Sequence, residues 1–301
     1  MTHGNEPRPS KNQRREAARE KARQLREEQK KKERRNRVLL QSGIAVVVLA
    51  IVAIVVLVIV QSVKPAGPGP KNMASDGILI GEGLKAVQTP AIAAGSTPTP
   101  SVPDETGNVA NIRMYVDYLC PYCNQFESTN SAQMEQWLND GAATVEIHPI
   151  NLLEGRSLGT KYSLRAANAA ACVANYSPND FWAFNTAMYA NQPQENTAGP
   201  SDQEMIKVIK DAGVGSMSKI ESCVKGKDFN AWVNAATDRA VNEPLPNSDV
   251  KEFKGTPTVI VNGKSYSGSL TDPKEFSSFV LQAAGETYST STPTPTPTPA
   301  G

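Results

Sequence analysis

Cys120-Pro121-Tyr122-Cys123 places two thiols three positions apart, close enough for both sulfurs to meet within one turn of chain. The alternating stretch Ile112–Tyr118 reads as a strand running into this point, and Pro121 stands where a helix would begin. A cysteine at a helix N-terminus lies beside unpaired amides and the positive end of the helix dipole, which favour its thiolate. A thiolate attacks disulfides, and a second cysteine resolves the mixed disulfide that results, so this spacing suits thiol–disulfide exchange. Three other uses of such a pair are weaker. Zinc would need two further ligands, but there is no second pair of this spacing and His148 is the sole histidine after residue 3. Covalent haem attachment needs histidine at position 124, which is Asn. A purely structural bridge across so short a loop would be strained and would stabilise little. No cofactor and no metal are therefore expected.

The elements that must hold this pair can be read around it. The helix from Pro121 keeps apolar spacing through Phe126, Met134, Trp137 and Leu138 and stops at Gly141. Thr144–Ile150 reads as a second strand. Helical stretches follow at Thr160–Asn175, at Phe181–Asn191, behind the capping-box patterns Ser201/Glu204 and Ser218/Glu221, and at Asp228–Asn242. Strand character returns at Thr258–Val261. Asn262-Gly263 is a type I′ hairpin signal, Ser265–Ser269 is the return strand, and a last helix runs from Asp272-Pro273 to Gly285. The order describes an α/β layer with helices inserted between its second and third core strands.

Gly255-Thr256-Pro257-Thr258 opens the third of these strands with a proline, which cannot donate to a ladder and belongs at a strand start. Placed after helices and before Val-Ile-Val-Asn-Gly, it resembles the cis-proline loop of the thioredoxin superfamily. Together with the Cys-Pro-Tyr-Cys motif and the helical insertion, it makes residues 108–285 resemble the DsbA-like branch, including its membrane-tethered members. The resemblance implies a thioredoxin fold with an inserted helical subdomain and a protein thiol–disulfide oxidoreductase. By it, Cys120 is the nucleophile and Cys123 the resolving cysteine, with Pro121 and Tyr122 tuning the thiolate. Pro257 is the cis-proline, and Thr256 presents its backbone to an extended substrate strand. Implied partners are exported protein substrates and a membrane redox partner that reoxidises the cysteine pair. The direction of electron flow is open: a disulfide-forming oxidase is expected, with a reductase or isomerase, or a redox-silent peptide-binding module, as alternatives. The Pro-Tyr dipeptide differs from the Pro-His of the strongly oxidising branch. Met114 occupies a strand position where many members carry a carboxylate. The nearest acid is Asp117, which either handles protons for Cys123 or caps the following helix.

The rest of the chain divides by charge. Residues 1–37 carry 14 Lys/Arg and 6 Asp/Glu, while the remainder carry 17 and 24. Between them Gly43–Val60 is 18 residues without a polar side chain, extending to 38–63 if flanking Gln and Ser are admitted. That length suits one transmembrane helix, and no small-x-small cleavage site follows it. The positive-inside rule places 1–37 in the cytoplasm and everything after Lys64 outside the plasma membrane. The basic arm lacks interleaved aromatics, so it suits anionic lipid rather than nucleic acid. Residues 64–107 read as Pro/Ala/Gly-rich linker, with Gly77–Gly81 either a short edge strand or apolar linker. The folded unit is expected over 108–287, with its insertion at about 157–248, followed by a disordered Thr/Pro tail at 288–301. Cys172 and Cys223 fall in the insertion. In an oxidising compartment they read as a structural bridge worth about 4 kcal/mol by loop entropy, with an exchange pair relaying to Cys123 as the rival. Trp137, Trp182, Trp232 and His148 read as packing residues.

Overall fold

The computed structural model describes residues 67–104 and 106–291, with parts of 19–52. The chain forms two units, Met1–Lys64 and Pro65–Gly301. In the first, 26–35 is exposed helix, and Arg23 pairs with Glu27 one turn on. Most of the expected span at 38–63 lies outside the described residues, and among those described no helix is long and apolar enough to cross a membrane. Residues 292–301 of the expected tail lie outside them too.

The second unit is built on a six-stranded mixed sheet. Its strands are β1 (Ile78–Gly81), β2 (Lys85–Ala86), β3 (Ala110–Val116), β4 (Ala143–Pro149), β5 (Thr258–Val261) and β6 (Lys264–Ser265), in the order β2-β1-β4-β3-β5-β6. β3 and β4 are parallel, with Met114 opposite Ile147, and helix α1 (Pro121–Asn139) makes the crossover that a parallel pair requires. β5 returns antiparallel beside β3, with Val259 opposite Met114. One face of these central strands is apolar, with Ile112, Met114, Val116, Val145 and Ile147 almost completely enclosed, while the opposite face carries Arg113, Tyr115, Glu146 and His148, which are buried too.

The helical insertion consists of α2 (Tyr162–Tyr176), α3 (Phe181–Ala190), α4 (Asp202–Asp211), α5 (Met217–Gly226) and α6 (Asn230–Asn242). Ala-rich α2 packs on both α5 and α6, because small side chains let neighbouring helices approach closely; Ala166, Ala167 and Ala169 to Ala171 are all buried. A Cys172–Cys223 disulfide ties α2 to α5 across a separation of 51 residues.

Several local expectations shift. Ser201 and Glu204 form a reciprocal capping box on α4. The second pattern does not: α5 starts at Met217, its cap Ser216 is left-handed, and Glu221 instead bonds Lys225 one turn on at 2.6 Å. The return strand after Asn262-Gly263 is only Lys264–Ser265, although both turn residues have positive φ as the hairpin requires. The last helix, α7 (Pro273–Ser291), passes through Gly285 and into the expected tail. A helical glycine costs about 1 kcal/mol relative to alanine, and Asn262, bonded to Thr287 at 3.0 Å, helps anchor the extra turn.

The sheet also reaches upstream of the expected start at 108. Within Gly77–Gly81, Ile78–Gly81 forms strand β1, which lies inside β2 rather than at the edge and pairs antiparallel with β4. Met73, Ile78 and Ile80 join the core. Asn72 Nδ2 donates to the Ala174 carbonyl at 2.8 Å, and Arg239 grips Asp76 through two hydrogen bonds of 2.7 and 2.8 Å. Much of the Pro/Gly-rich stretch read as linker is thus packed chain.

Candidate active site

Cys120 is the N-cap of α1, with Pro121 at the first helical position. The approach is set by Asp117, which is fully buried. Its Oδ1 accepts the Leu119 amide and its Oδ2 the Leu153 amide, both at 2.8 Å. It therefore ties the turn before the helix to the loop after β4, and no side chain caps α1. Burial, the largest influence, pushes Asp117 up to about 6 against those amide bonds. From the end of α3, Gln192 Nε2 donates to the carbonyls of Tyr118 and Cys120, at 3.1 and 3.0 Å, and fixes the same turn from the other side.

Cys120 and Cys123 are both free thiols, and their environments drive them apart. The hydrogen bond from the Cys123 side chain does most to lower Cys120, to about 6, with burial opposing it and the Thr256 side chain and the amides of Cys123 and Tyr122 assisting. One contact runs the other way: the Cys120 S–H donates to the Thr256 carbonyl at 3.2 Å, which favours the neutral thiol. A single such bond is outweighed by several donors converging on the sulfur. Burial, followed by its bond to Cys120, holds Cys123 well above the usual thiol range. The pair is asymmetric, with one sulfur readily ionised and the other kept protonated.

Thr256-Pro257 is a cis peptide at the start of β5. The pairing of β5 with β3 brings this loop against Cys120 although 136 residues separate them. Beyond it lies an open groove lined by Lys251, Lys254, Thr256, Pro257 and Tyr266. Tyr122 is 60% exposed at the same helix start. The structure thus brings together Cys120, Pro121, Tyr122, Cys123, Thr256 and Pro257. Cys172 and Cys223 stay apart from them, bonded to each other and buried.

Residues not singled out from sequence complete the surroundings. Glu127 and Asn130 are buried on α1, and Asn185 is buried on α3. Their signal was present but faint, because Cys123, Phe126, Glu127, Asn130 and Met134 all fall on one helical face. A polar residue within that face had to be either enclosed or paired. His148 packs as expected, stacked on Tyr115 with ring centroids 4.4 Å apart. Trp182 and Trp232 are buried, and Trp137 packs against the core from its edge. No cluster of metal-ligating side chains occurs among the described residues.

A family model described as thioredoxin matches residues 107–281. No curated protein matches the chain. Among solved structures it is similar to the reduced disulfide bond oxidoreductase DsbG of Mycobacterium tuberculosis, at 24% identity and TM-score 0.53, over 73% of this chain and 96% of that one. Reduced DsbA from the same organism is 25% identical with TM-score 0.51, over 72% of this chain and all of that one. Oxidised BdbD from Bacillus subtilis shares the fold at 16% identity and TM-score 0.50, over 74% of this chain and all of that one.

Proposed function

We propose, from the premise that this chain belongs to the thioredoxin family and is a protein thiol–disulfide oxidoreductase, that it forms disulfides in exported proteins while anchored in the plasma membrane. The observation that carries the direction is the asymmetry of the two thiols. A thiolate stabilised at Cys120 favours the reduced form of the pair, and a pair whose reduced form is favoured is an oxidant.

In this reading the oxidised pair is the resting form. A substrate thiolate attacks the Cys120 sulfur, forming a mixed disulfide and expelling Cys123. A second substrate thiolate then attacks the substrate's own sulfur in that mixed disulfide, and Cys120 leaves as a stable thiolate. Low basicity makes Cys120 a good leaving group, so this release is fast. Thr256 offers its backbone and Pro257 its ring to the substrate, which lies extended along the groove. Pro121 holds the helix start, and Tyr122 presents an exposed ring beside the sulfur. A membrane redox partner then takes electrons from the reduced pair. The hydrophobic run Gly43–Val60 serves as the anchor, with basic residues 1–37 on the cytoplasmic, lipid-facing side and the catalytic domain outside.

Single-cysteine variants test the roles. Cys123→Ser keeps an attacking thiolate without a resolving one, so non-reducing gels of cells should show it trapped on substrates. Cys120→Ser should show neither adducts nor turnover. Equal activity in both variants would overturn the assignment. A reduction potential of the isolated pair near −270 mV, the thioredoxin range, rather than toward −120 mV, would overturn the oxidase direction.

A further inference from the structure

The turn that delivers Cys120 to α1 has its polar groups divided between two holders. Asp117 takes amides: its carbonyl accepts from the Cys120 amide at 3.0 Å and its Oδ1 from that of Leu119 at 2.8 Å. Gln192 takes carbonyls, its Nε2 donating to Tyr118 at 3.1 Å and to Cys120 at 3.0 Å. A side-chain amide nitrogen carries two hydrogens, and each has a carbonyl here. Gln192 is placed for this by the end of α3. Its own amide bonds the Tyr189 carbonyl at 3.2 Å, and Pro193 after it bars a further helical turn. The side chain therefore leaves the helical insertion and crosses to the start of α1.

The Cys120 carbonyl is a sensitive point to hold. Cys120 is the N-cap, so this carbonyl also accepts the first helical bond, from the Asn124 amide at 3.2 Å. Residue 121 is proline and has no amide to offer the sulfur, which leaves those of Tyr122 and Cys123. Both follow from the peptide unit that carries the Cys120 carbonyl. A rotation about the Cys120 ψ, 117° here, moves both amides relative to the sulfur, and the negative end of the carbonyl with them. No side chain caps α1, so Gln192 is the outside donor that fixes its first peptide. Asn124 makes a second tie between the two helices, Nδ2 to the Tyr189 carbonyl at 3.3 Å, but it holds α3 and not the turn.

We propose that Gln192 is a positioning residue for the nucleophile: from the end of the helical insertion it holds the first peptide of α1 so that the Tyr122 and Cys123 amides face the Cys120 sulfur. This rests on the exchange chemistry assigned above to Cys120, and it gives the insertion a part in that chemistry. The titratable groups facing Cys120 are Cys123 on its own helix and Asp117 on the turn. Beyond the Thr256-Pro257 loop, Lys251 and Lys254 line the groove. From α3 the Tyr189 phenol faces Cys123. All of these remain when Gln192 alone is changed, so their titration cancels in a comparison with the wild type.

The full-length chain, purified in detergent, is equilibrated with glutathione across about pH 5–8, where reduced chain and one oxidised glutathione exchange for oxidised chain and two reduced glutathiones. Acid quenching and mass spectrometry give the oxidised fraction, iodoacetamide alkylation of the reduced chain gives the Cys120 midpoint, and thermal melting reports folding. Q192M keeps the side chain's length without its donor. Its midpoint should rise by about 0.5–1 pH unit, the scale of one ordinary hydrogen bond. From a wild-type midpoint of about 6, its reduced form should then be less favoured by about three- to fivefold at pH 7. At about pH 5 both proteins hold Cys120 mainly as thiol, and the difference should vanish. N124A, which cuts the other tie between α1 and α3, should leave midpoint and equilibrium unchanged. Q192N, which draws the amide back by one methylene, should behave as Q192M does and replaces it if Q192M fails to melt cooperatively. If neither folds, Gln192 is a structural strut and the positioning role is overturned. A Q192M midpoint equal to the wild type's, an equal shift in N124A, or a glutathione shift as large at pH 5 as at pH 7 overturns the role of Gln192 alone. A wild type that exchanges no disulfide with glutathione overturns the redox reading and this inference with it.

Discussion

The ionisation of Cys120 can be tested by alkylation, and its pH dependence follows from two opposed effects. With Cys120 held at about 6 against an ordinary value of 9, about 90% of it is thiolate at pH 7, compared with about 1% of an unperturbed thiol. That is a gain of about 90-fold in the reacting species. A less basic thiolate is also a weaker nucleophile, and a Brønsted slope of about 0.45 over three units removes about 20-fold. Cys120 should therefore react with iodoacetamide only about fourfold faster than a free cysteine at pH 7, but about 40-fold faster at pH 5 and about tenfold slower at pH 9. The crossover near pH 8 is the signature, and a merely exposed cysteine would not show it. The Cys123 hydrogen bond is the leading cause of the shift. A hydrogen bond to a charged group contributes about 1.5–3 kcal/mol, equivalent to about 1–2 pK units. Cys123→Ala should thus move the alkylation midpoint upward by that amount, while the helix amides keep it below an ordinary thiol. The assay is pseudo-first-order alkylation of the reduced full-length chain, followed by mass spectrometry at several pH values. A wild-type midpoint near 9, or a Cys123→Ala midpoint still at 6, would refute this account of the site.

Two further outcomes are expected. The double variant Cys172→Ser/Cys223→Ser should lose thermal stability by an amount equivalent to about 2–5 kcal/mol yet retain turnover at low temperature; unchanged stability with lost oxidase activity would make the buried pair part of the electron path. External protease on intact spheroplasts should digest the folded domain and spare about the first 40 residues; a soluble chain beginning after Val63 would show instead that Gly43–Val60 is a cleaved signal.

What could be read in advance was local or strongly spaced. The two thiols, the proline that starts a helix and the proline that starts a strand each carry a backbone constraint written within four residues. Beside those constraints, β3 was legible as an alternating stretch and β5 as an apolar run. The part that stayed hidden depends on partners far along the chain. Asn72 and Asp76 lie in a stretch whose composition suits a linker, yet they bond Ala174 and Arg239, more than a hundred residues away. Glu127 reads as one of many helix-surface acids until α3 closes over it and Asn185 meets its carboxyl. Asp117 left two readings open, and both of its oxygens proved to hold the approach turn rather than the helix. The absent cap at Ser218 shows the converse error. A capping pattern is satisfied in sequence by any serine and glutamate three apart, but Glu221 found a lysine on its own helix.

The order of these parts along the chain sets a timetable for their assembly. Cys120, Cys123 and Cys172 are all synthesised before Cys223, and the Thr256-Pro257 loop comes after every cysteine. The amides that sharpen Cys120 come from the next few residues and are available once α1 forms, whereas the loop that covers its sulfur must wait for β5 to pair with β3. Such distant pairing is slow, because loop closure has to precede any reward from contact. Before Cys223 is made, Cys172 has two thiols at hand and its native partner still to come. The emerging chain is thus its own first competing substrate, and a mispaired Cys120–Cys172 or Cys123–Cys172 bridge is the misfolded product its architecture makes most accessible.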